Sequence, residues 1–125
     1  MTLGTPLRER ATAVLIRDGK VLLVQGPSLG DYHMPGGGVE AGETPVEAVI
    51  RELREETGLV ANKLEFLFTW ESSVHRHHAF LLEAEGEATL SDEVGSFVWW
   101  DRREQLPTWP HVNEILRRLD TLTPS

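Results

Sequence analysis

A run of Pro35-Gly36-Gly37-Gly38 stands just ahead of a helix whose two ends are both written into the sequence, and few folds accommodate that pairing. Thr44 can cap the helix, Pro45 suits the first helical position because it has no N–H to lose, and Glu47 completes a Thr-x-x-Glu capping box. Gly58 supplies the stop. The spacing predicts a helix over 44–57, with the glycine run excluding regular structure and bending the chain sharply. Val46, Val49, Ile50 and Leu53 fall at three- and four-residue spacing and define the face expected against a sheet.

Around that unit the pattern is one of strands. Arg10 to Arg17 is rich in β-branched and aliphatic residues, Asp18-Gly19 is a two-residue turn signal, and Lys20 to Gln25 is a second apolar run; together they predict a β-hairpin. Tyr32-His33-Met34 reads as a short strand entering the glycine run. Leu64 to Trp70, His77 to Ala84 and Ser96 to Trp100 read as further strands, with an acidic loop over 85–93. His111 to Leu119 predicts a closing helix with Ile115, Leu116 and Leu119 as its apolar stripe. Strands on both sides of one helix, with a second helix at the end, give the expected fold class: α/β of the α+β kind, an α/β/α sandwich with a mixed β-sheet between helices. A chain of 125 residues, 40% of them hydrophobic, has material for a single core, so one domain over 1–125 with one active site is expected.

Asp and Glu number 20 against 12 Lys and Arg, a net charge of −8. That balance argues against broad nucleic-acid binding, whose footprint is basic, and an acidic chain that handles phosphates needs metal cations. Cysteine is absent, which excludes disulfides and Cys-ligated zinc or iron–sulfur centres and fits a cytoplasmic protein. Met1 to Pro6 has no apolar signal core, and no apolar run approaches the roughly 18–20 residues that span a bilayer, so neither export nor a membrane partner is expected.

Within the predicted helix, Glu52, Glu55 and Glu56 at i, i+3 and i+4 crowd one arc, placed opposite the apolar stripe. Such clusters are usually solvated surface. Here, however, the glycine run frees the backbone to approach a ligand, and exposed carbonyls such as that of Gly36 can join carboxylates in an oxygen-only Mg²⁺ site. Arg51 and Glu43 place an ion-pair option beside the cluster. Residues 37–59 also read G-x5-E-x7-R-E-L-x-E-E-x-G-L, from Gly37 to Leu59, which matches every fixed position of the Nudix box. The chain thereby resembles the Nudix hydrolases, MutT-like members included, and the Pro35-Gly36-Gly37 opening and the late Trp99-Trp100 strand are similar as well.

The resemblance implies a loop–helix–loop in which Glu52, Glu55 and Glu56 hold divalent ions and Gly36 offers its carbonyl. It further implies an enzyme that cleaves a diphosphate linkage in a nucleoside diphosphate derivative, with Mg²⁺ as cofactor and Mn²⁺ as the other choice. Glu52 and Glu56, four residues apart, are the chosen direct ligands; Glu55 is either a third ligand or the base that orients water. Family members place the base inside the box or on a later loop, where Glu93 of Ser91-Asp92-Glu93 is the outside candidate, against its plain reading as a solvated loop acid. Arg51 is expected to bridge acids with its fork of donors, Glu43 being its partner or a second support.

Substrate choice must come from outside the box. Trp109 sits where MutT-like relatives often carry a residue lining the base pocket; an indole can stack on a nucleobase or simply cover the edge of the core. His33 alternates with Tyr32 and Met34, so one face enters the cleft. In His75-Arg76-His77-His78, alternation puts His75 and His77 on one face and Arg76 and His78 on the other, giving either cations for a polyphosphate or an ordinary exposed edge. A His-x-His metal site lacks a third ligand at a persuasive spacing. Arg8 and Arg10 lie near enough to the first strand to touch substrate. Marks that ADP-ribose and dinucleoside-polyphosphate hydrolases of this family carry downstream of the box are missing from Val74-His75-Arg76-His77. The favoured reading is therefore a nucleoside triphosphate pyrophosphohydrolase. The alternatives are an ADP-ribose or nucleotide-sugar hydrolase, a dinucleoside-polyphosphate hydrolase and, from another class, a non-catalytic nucleotide-sensing domain, which usually loses box acids. A nucleotide-like small molecule is the expected partner, and the chain is expected to be a monomer or a homodimer.

Overall fold

In the computed structural model, which describes residues 6–122, the first strand β1 (Arg8–Arg17) turns through Asp18 and Gly19 into β2 (Lys20–Gln25). Both turn residues have positive φ, 53° and 75°, the geometry a two-residue hairpin requires, and Arg17 pairs with Lys20 across it. A short β3 (Gly36–Gly38) and helix α1 (Pro45–Thr57) follow, then β4 (Val60–Glu71), β5 (His75–Glu85), β6 (Ser96–Trp100) and helix α2 (Pro110–Leu122). Residues 1–5, on which the expectation of no export signal largely rests, fall outside the described residues.

The sheet runs β4-β5-β1-β2-β6, with β3 paired to the first half of β1. It is mixed: β1 and β5 are parallel, and every other pairing is antiparallel. Alternation along the strands sends Ala11, Ala13, Leu15, Leu22, Phe80 and Leu82 to one face, against Ala48, Val49 and Leu53 of α1. The other face carries Val14, Val21, Leu23 and Ala79 against Val112, Ile115, Leu116 and Leu119 of α2. The expected sandwich is what forms, and no helix among the described residues is long and apolar enough to cross a membrane.

Helix α1 is closed at both ends as its sequence predicts. Thr44 Oγ1 accepts the Glu47 N–H at 3.2 Å, Glu47 returns a carboxylate oxygen to the Thr44 N–H at 3.0 Å, and Gly58 at φ 77° donates its N–H to the Arg54 carbonyl at 2.8 Å.

Three expectations are corrected. The glycine run is regular structure after all: Gly36–Gly38 pairs with Thr12 to Arg10 of β1. Only glycine fits there, because a Cβ on Gly36 (φ 152°) would lie 2.2 Å from the Ala11 carbonyl oxygen. The buried face of α1 is also rotated from the apolar stripe. Val46 and Ile50 are 40% and 38% exposed, whereas Ala48 and Glu56 are buried with Val49 and Leu53, so the carboxylates flank the core face rather than oppose it. Finally, His75 to His78 do not form an exposed edge, since β5 lies between β4 and β1 and His77 is buried.

Candidate active site

The acids of α1 meet the glycine strand at its closest approach to the helix. Gly36 donates its N–H to Glu56 Oε1 at 2.7 Å, and Gly37 passes so near Glu52 that a Cβ there would sit 2.5 Å from its carboxylate. Burial disfavours the charged form of both side chains. Glu56 is pushed up to about 7, burial outweighing the Gly36 N–H that favours its anion; Glu52 is raised too, burial outweighing the Arg51 bond.

Arg51 gathers the remaining acids. Its Nε donates to Glu43 Oε2 at 2.7 Å and its Nη2 to Glu43 Oε1 at 3.0 Å, a two-pronged pairing, while Nη1 reaches Glu52 at 2.9 Å and Glu55 at 3.1 Å. Nη2 also donates to the Gly38 carbonyl at 3.2 Å, tying helix to strand. The Arg51 bond is what holds Glu43 down at about 2, and Arg51 itself is raised by the same bond.

Glu93 arrives from a distant loop. Val94 beside it is buried, Gly95 donates its N–H to the Gln25 carbonyl at 2.8 Å, and the Glu93 N–H bonds Ser91 Oγ at 3.2 Å, so the loop is pinned on both sides of the acid. One carboxylate oxygen each from Glu52, Glu55 and Glu93 lies within 4.8 Å of the others. An oxygen-only set of this kind fits a hard divalent cation. Glu56 is not in that trio, being turned to Gly36, and Gly36 presents its N–H to the site.

A second half lies on the α2 side of the sheet, where four of the five histidines come together. His33 stacks on Trp109 at 4.3 Å; His77 lies 5.2 Å from Trp70, 5.6 Å from His75 and 4.9 Å from His111. Backbone bonds fix these rings: Trp109 donates its N–H to the Tyr32 carbonyl at 2.9 Å, and the Met34 N–H points to His111 Nε2 at 3.4 Å. Trp70, Val74, His75, His77, Trp109 and His111 line a slot of about 300 Å³. Burial, with the nearby Arg10 charge adding to it, lowers His77 to about 4 and His111 to about 2. Burial likewise lowers His33 to about 4 against the Met34 carbonyl bond that favours its cation. The rings are thus neutral near pH 7, and they offer flat polarisable faces rather than cations for a polyphosphate. Arg76 and His78, on the opposite face, are engaged by Glu9 at 3.3 and 3.1 Å.

The structure therefore brings Gly36, Glu43, Arg51, Glu52, Glu55, Glu56 and Glu93 to one end, and His33, His77 and Trp109 to the other. Arg8 is exposed and borders an adjoining hollow with Val74 and His75 rather than the slot itself. Trp70 and His111 were not foreseen, while Arg10, expected with Arg8 as a possible substrate contact, lies beside them rather than with Arg8. Alternation along β1 was the available signal for Arg10, which shares its face with Thr12 and Val14. That buried arginine donates to the Met34 carbonyl at 3.0 Å and lies 5.7 Å from the Trp109 ring.

Acids grouped for a cation beside a slot for a flat ring suit metal-assisted hydrolysis of a phosphate-bearing ligand, and the comparisons with known proteins agree with that class. The family model of the NUDIX domain matches residues 7–119. The uncharacterized Nudix hydrolase YvcI of Bacillus subtilis (strain 168) is 35% identical over 124 residues, covering 90% of this chain and 78% of that protein. The CTP pyrophosphohydrolase of Escherichia coli (strain K12) is 33% identical over 107 residues, covering 78% of each. Among solved structures, a nudix hydrolase family member from Chromobacterium violaceum superposes with a TM-score of 0.88 at 30% identity, covering 98% of this chain and 83% of that one. The chain belongs to the Nudix family and is a hydrolase of pyrophosphate bonds.

Proposed function

We propose that this protein is a single-domain, cytoplasmic, Mg²⁺-dependent nucleoside triphosphate pyrophosphohydrolase of the MutT-like kind. The observation that carries the reading is the Met34–Gly36 segment, which joins the two halves of the site. The Met34 N–H faces His111 and its carbonyl holds Arg10, while two residues on the Gly36 N–H holds Glu56. Three residues of chain span no more than roughly 10 Å. A nucleotide with its base among Trp70, His77 and Trp109 therefore has its phosphates within reach of the acids. Similarity to a CTP pyrophosphohydrolase over most of both chains supports a triphosphate over other derivatives.

In the reaction, one water adds across the α–β anhydride. Its oxygen bonds to phosphorus, the bridging P–O bond breaks, and nucleoside monophosphate and pyrophosphate leave. Glu52, Glu55 and Glu93 would hold the divalent ion, which supplies neutralisation of phosphate oxygens and acidification of bound water. Glu55 and Glu93 are the carboxylates exposed enough to take the water's proton, Glu56 supports the glycine strand through Gly36, and Arg51 keeps Glu52 and Glu55 oriented from the side away from the core. Trp109 and His33 present stacked faces for the base.

Incubation with Mg²⁺ and a panel of nucleoside triphosphates, ADP-ribose, nucleotide sugars and dinucleoside polyphosphates, with products identified by mass, tests the proposal. Monophosphate and pyrophosphate from a triphosphate are expected. Turnover confined to ADP-ribose, sugar nucleotides or dinucleotides would replace the substrate, and binding without any turnover would replace the enzyme by a sensor.

A further inference from the structure

Arg10 is 8% exposed, yet no carboxylate among the described residues makes a direct ion pair with it. Nη2 donates to the Met34 carbonyl, and Nε is buried with no partner among the described residues. Glu52 and Glu56 act on it only through space, and Glu56 directs an oxygen to the Gly36 N–H. Rings also lie about it: Trp109 at 5.7 Å, and the neutral His33, His77 and His111, which feel its charge.

Arginines are almost never fully buried unless paired, because removing a cation from water is costly. Here that cost is borne at the junction of the acid cluster and the ring slot. We propose that Arg10 is the anchor for the α-phosphate of the bound nucleotide, its unpartnered Nε–H and its charge taking one non-bridging phosphate oxygen. Arginine suits the position better than lysine, since one prong of the fork holds the Met34 carbonyl while another stays free for the ligand. Trp109, 38% exposed, is the cover, and a shift of that ring off His33 opens the guanidinium to the slot. The anchor holds the half of the nucleotide that leaves as monophosphate, apart from the acids. The identification of the anion as a nucleotide phosphate rests on the function proposed above.

The test is titration calorimetry of CMP, UMP, GMP and AMP, and of the matching nucleosides, against the wild-type protein, Arg10→Met and Arg10→Lys, with the thermal midpoint of each free protein. Arg10→Met is expected to raise the midpoint of the free protein by about 3–6 °C, because an unpaired buried charge is replaced by an apolar group of similar length. It should weaken the monophosphate by about tenfold or more while leaving nucleoside affinity in place. Arg10→Lys should keep part of the monophosphate affinity. A lowered midpoint with unchanged monophosphate binding, or no monophosphate binding by the wild type, overturns the anchor and leaves Arg10 as a brace for Met34. If Arg10→Met does not fold, Arg10→Lys decides, and undiminished monophosphate affinity there overturns the proposal. Absence of triphosphate turnover alongside Arg10-dependent monophosphate binding would remove the enzymatic reading and keep the anchor.

Discussion

On the α1 side of the sheet, the carboxylates of the site come mainly from successive turns of one helix; on the α2 side, its rings come from β4, β5, the segment before β3 and the start of α2. Burial acts on both in the same way. It raises Glu56 to about 7 and lowers His77 to about 4, favouring the uncharged form of each. The difference lies in what relieves it. The acids await a cation from solution, whereas the histidines are complete as neutral rings and leave only Arg10 among them charged. One half gathers like charges for a cation to offset, and the other gathers neutral rings around one buried charge.

The comparison breaks first at the acids. Glu52→Gln is expected to lower Mg²⁺-dependent turnover by about 10²-fold or more with the fold intact, read by product release beside circular dichroism. Gly37→Ala comes next: its Cβ must displace the Glu52 carboxylate, and turnover should fall by about 10- to 100-fold with little change in thermal midpoint. Trp109→Ala, in the ring half, should raise KM by about tenfold and leave kcat within about twofold, since a stacking face is lost while the acids and Arg10 are kept.

Acid titration sharpens the contrast further. His33, His77 and His111 have folded values below the usual 6.5, so the unfolded chain takes up protons first, and stability falls as pH drops from 6.5 toward about 4. Glu56 has a raised folded value, so without metal its contribution is full below 4.5 and is lost as pH rises toward 7, the opposite sign. Three histidines against two glutamates, Glu56 and the likewise raised Glu52, leave a net loss on acidification, at most about 1.4 kcal/mol per pH unit for each histidine. Thermal midpoints of metal-free protein from pH 7 to 4.5 check this, and His111→Phe should flatten the slope. Asp120→Ala, which breaks an exposed pair with Arg102 outside both halves, should shift stability by less than about 0.5 kcal/mol in a urea titration.

The same division decides what could be read from sequence. The limits of α1 and the β1–β2 hairpin were legible because Thr44, Glu47, Gly58, Asp18 and Gly19 act on their immediate neighbours. The strand at Gly36–Gly38 was not, since glycine has no strand preference of its own and β1 alone makes it one. Hydrophobicity pointed to Val46 and Ile50 as core, but the helix turns Glu52 and Glu56 toward the sheet instead, so polarity and burial disagree where a ligand belongs. The approach of Glu93 to Glu52 and Glu55 depends on Val94 and Gly95 seating a remote loop. For Arg10, nothing local separates a buried arginine from one whose stem is covered and whose head is in water.

Steady-state kinetics of triphosphate hydrolysis with Mg²⁺, run on the wild type beside Glu52→Gln and Trp109→Ala, tests most directly the claim that acids and rings form one active site with separate duties. The expected result is that Glu52→Gln loses kcat at every nucleotide concentration while Trp109→Ala recovers the wild-type kcat at saturation. Wild-type turnover in Glu52→Gln, or an equal loss of kcat in both variants, would contradict it.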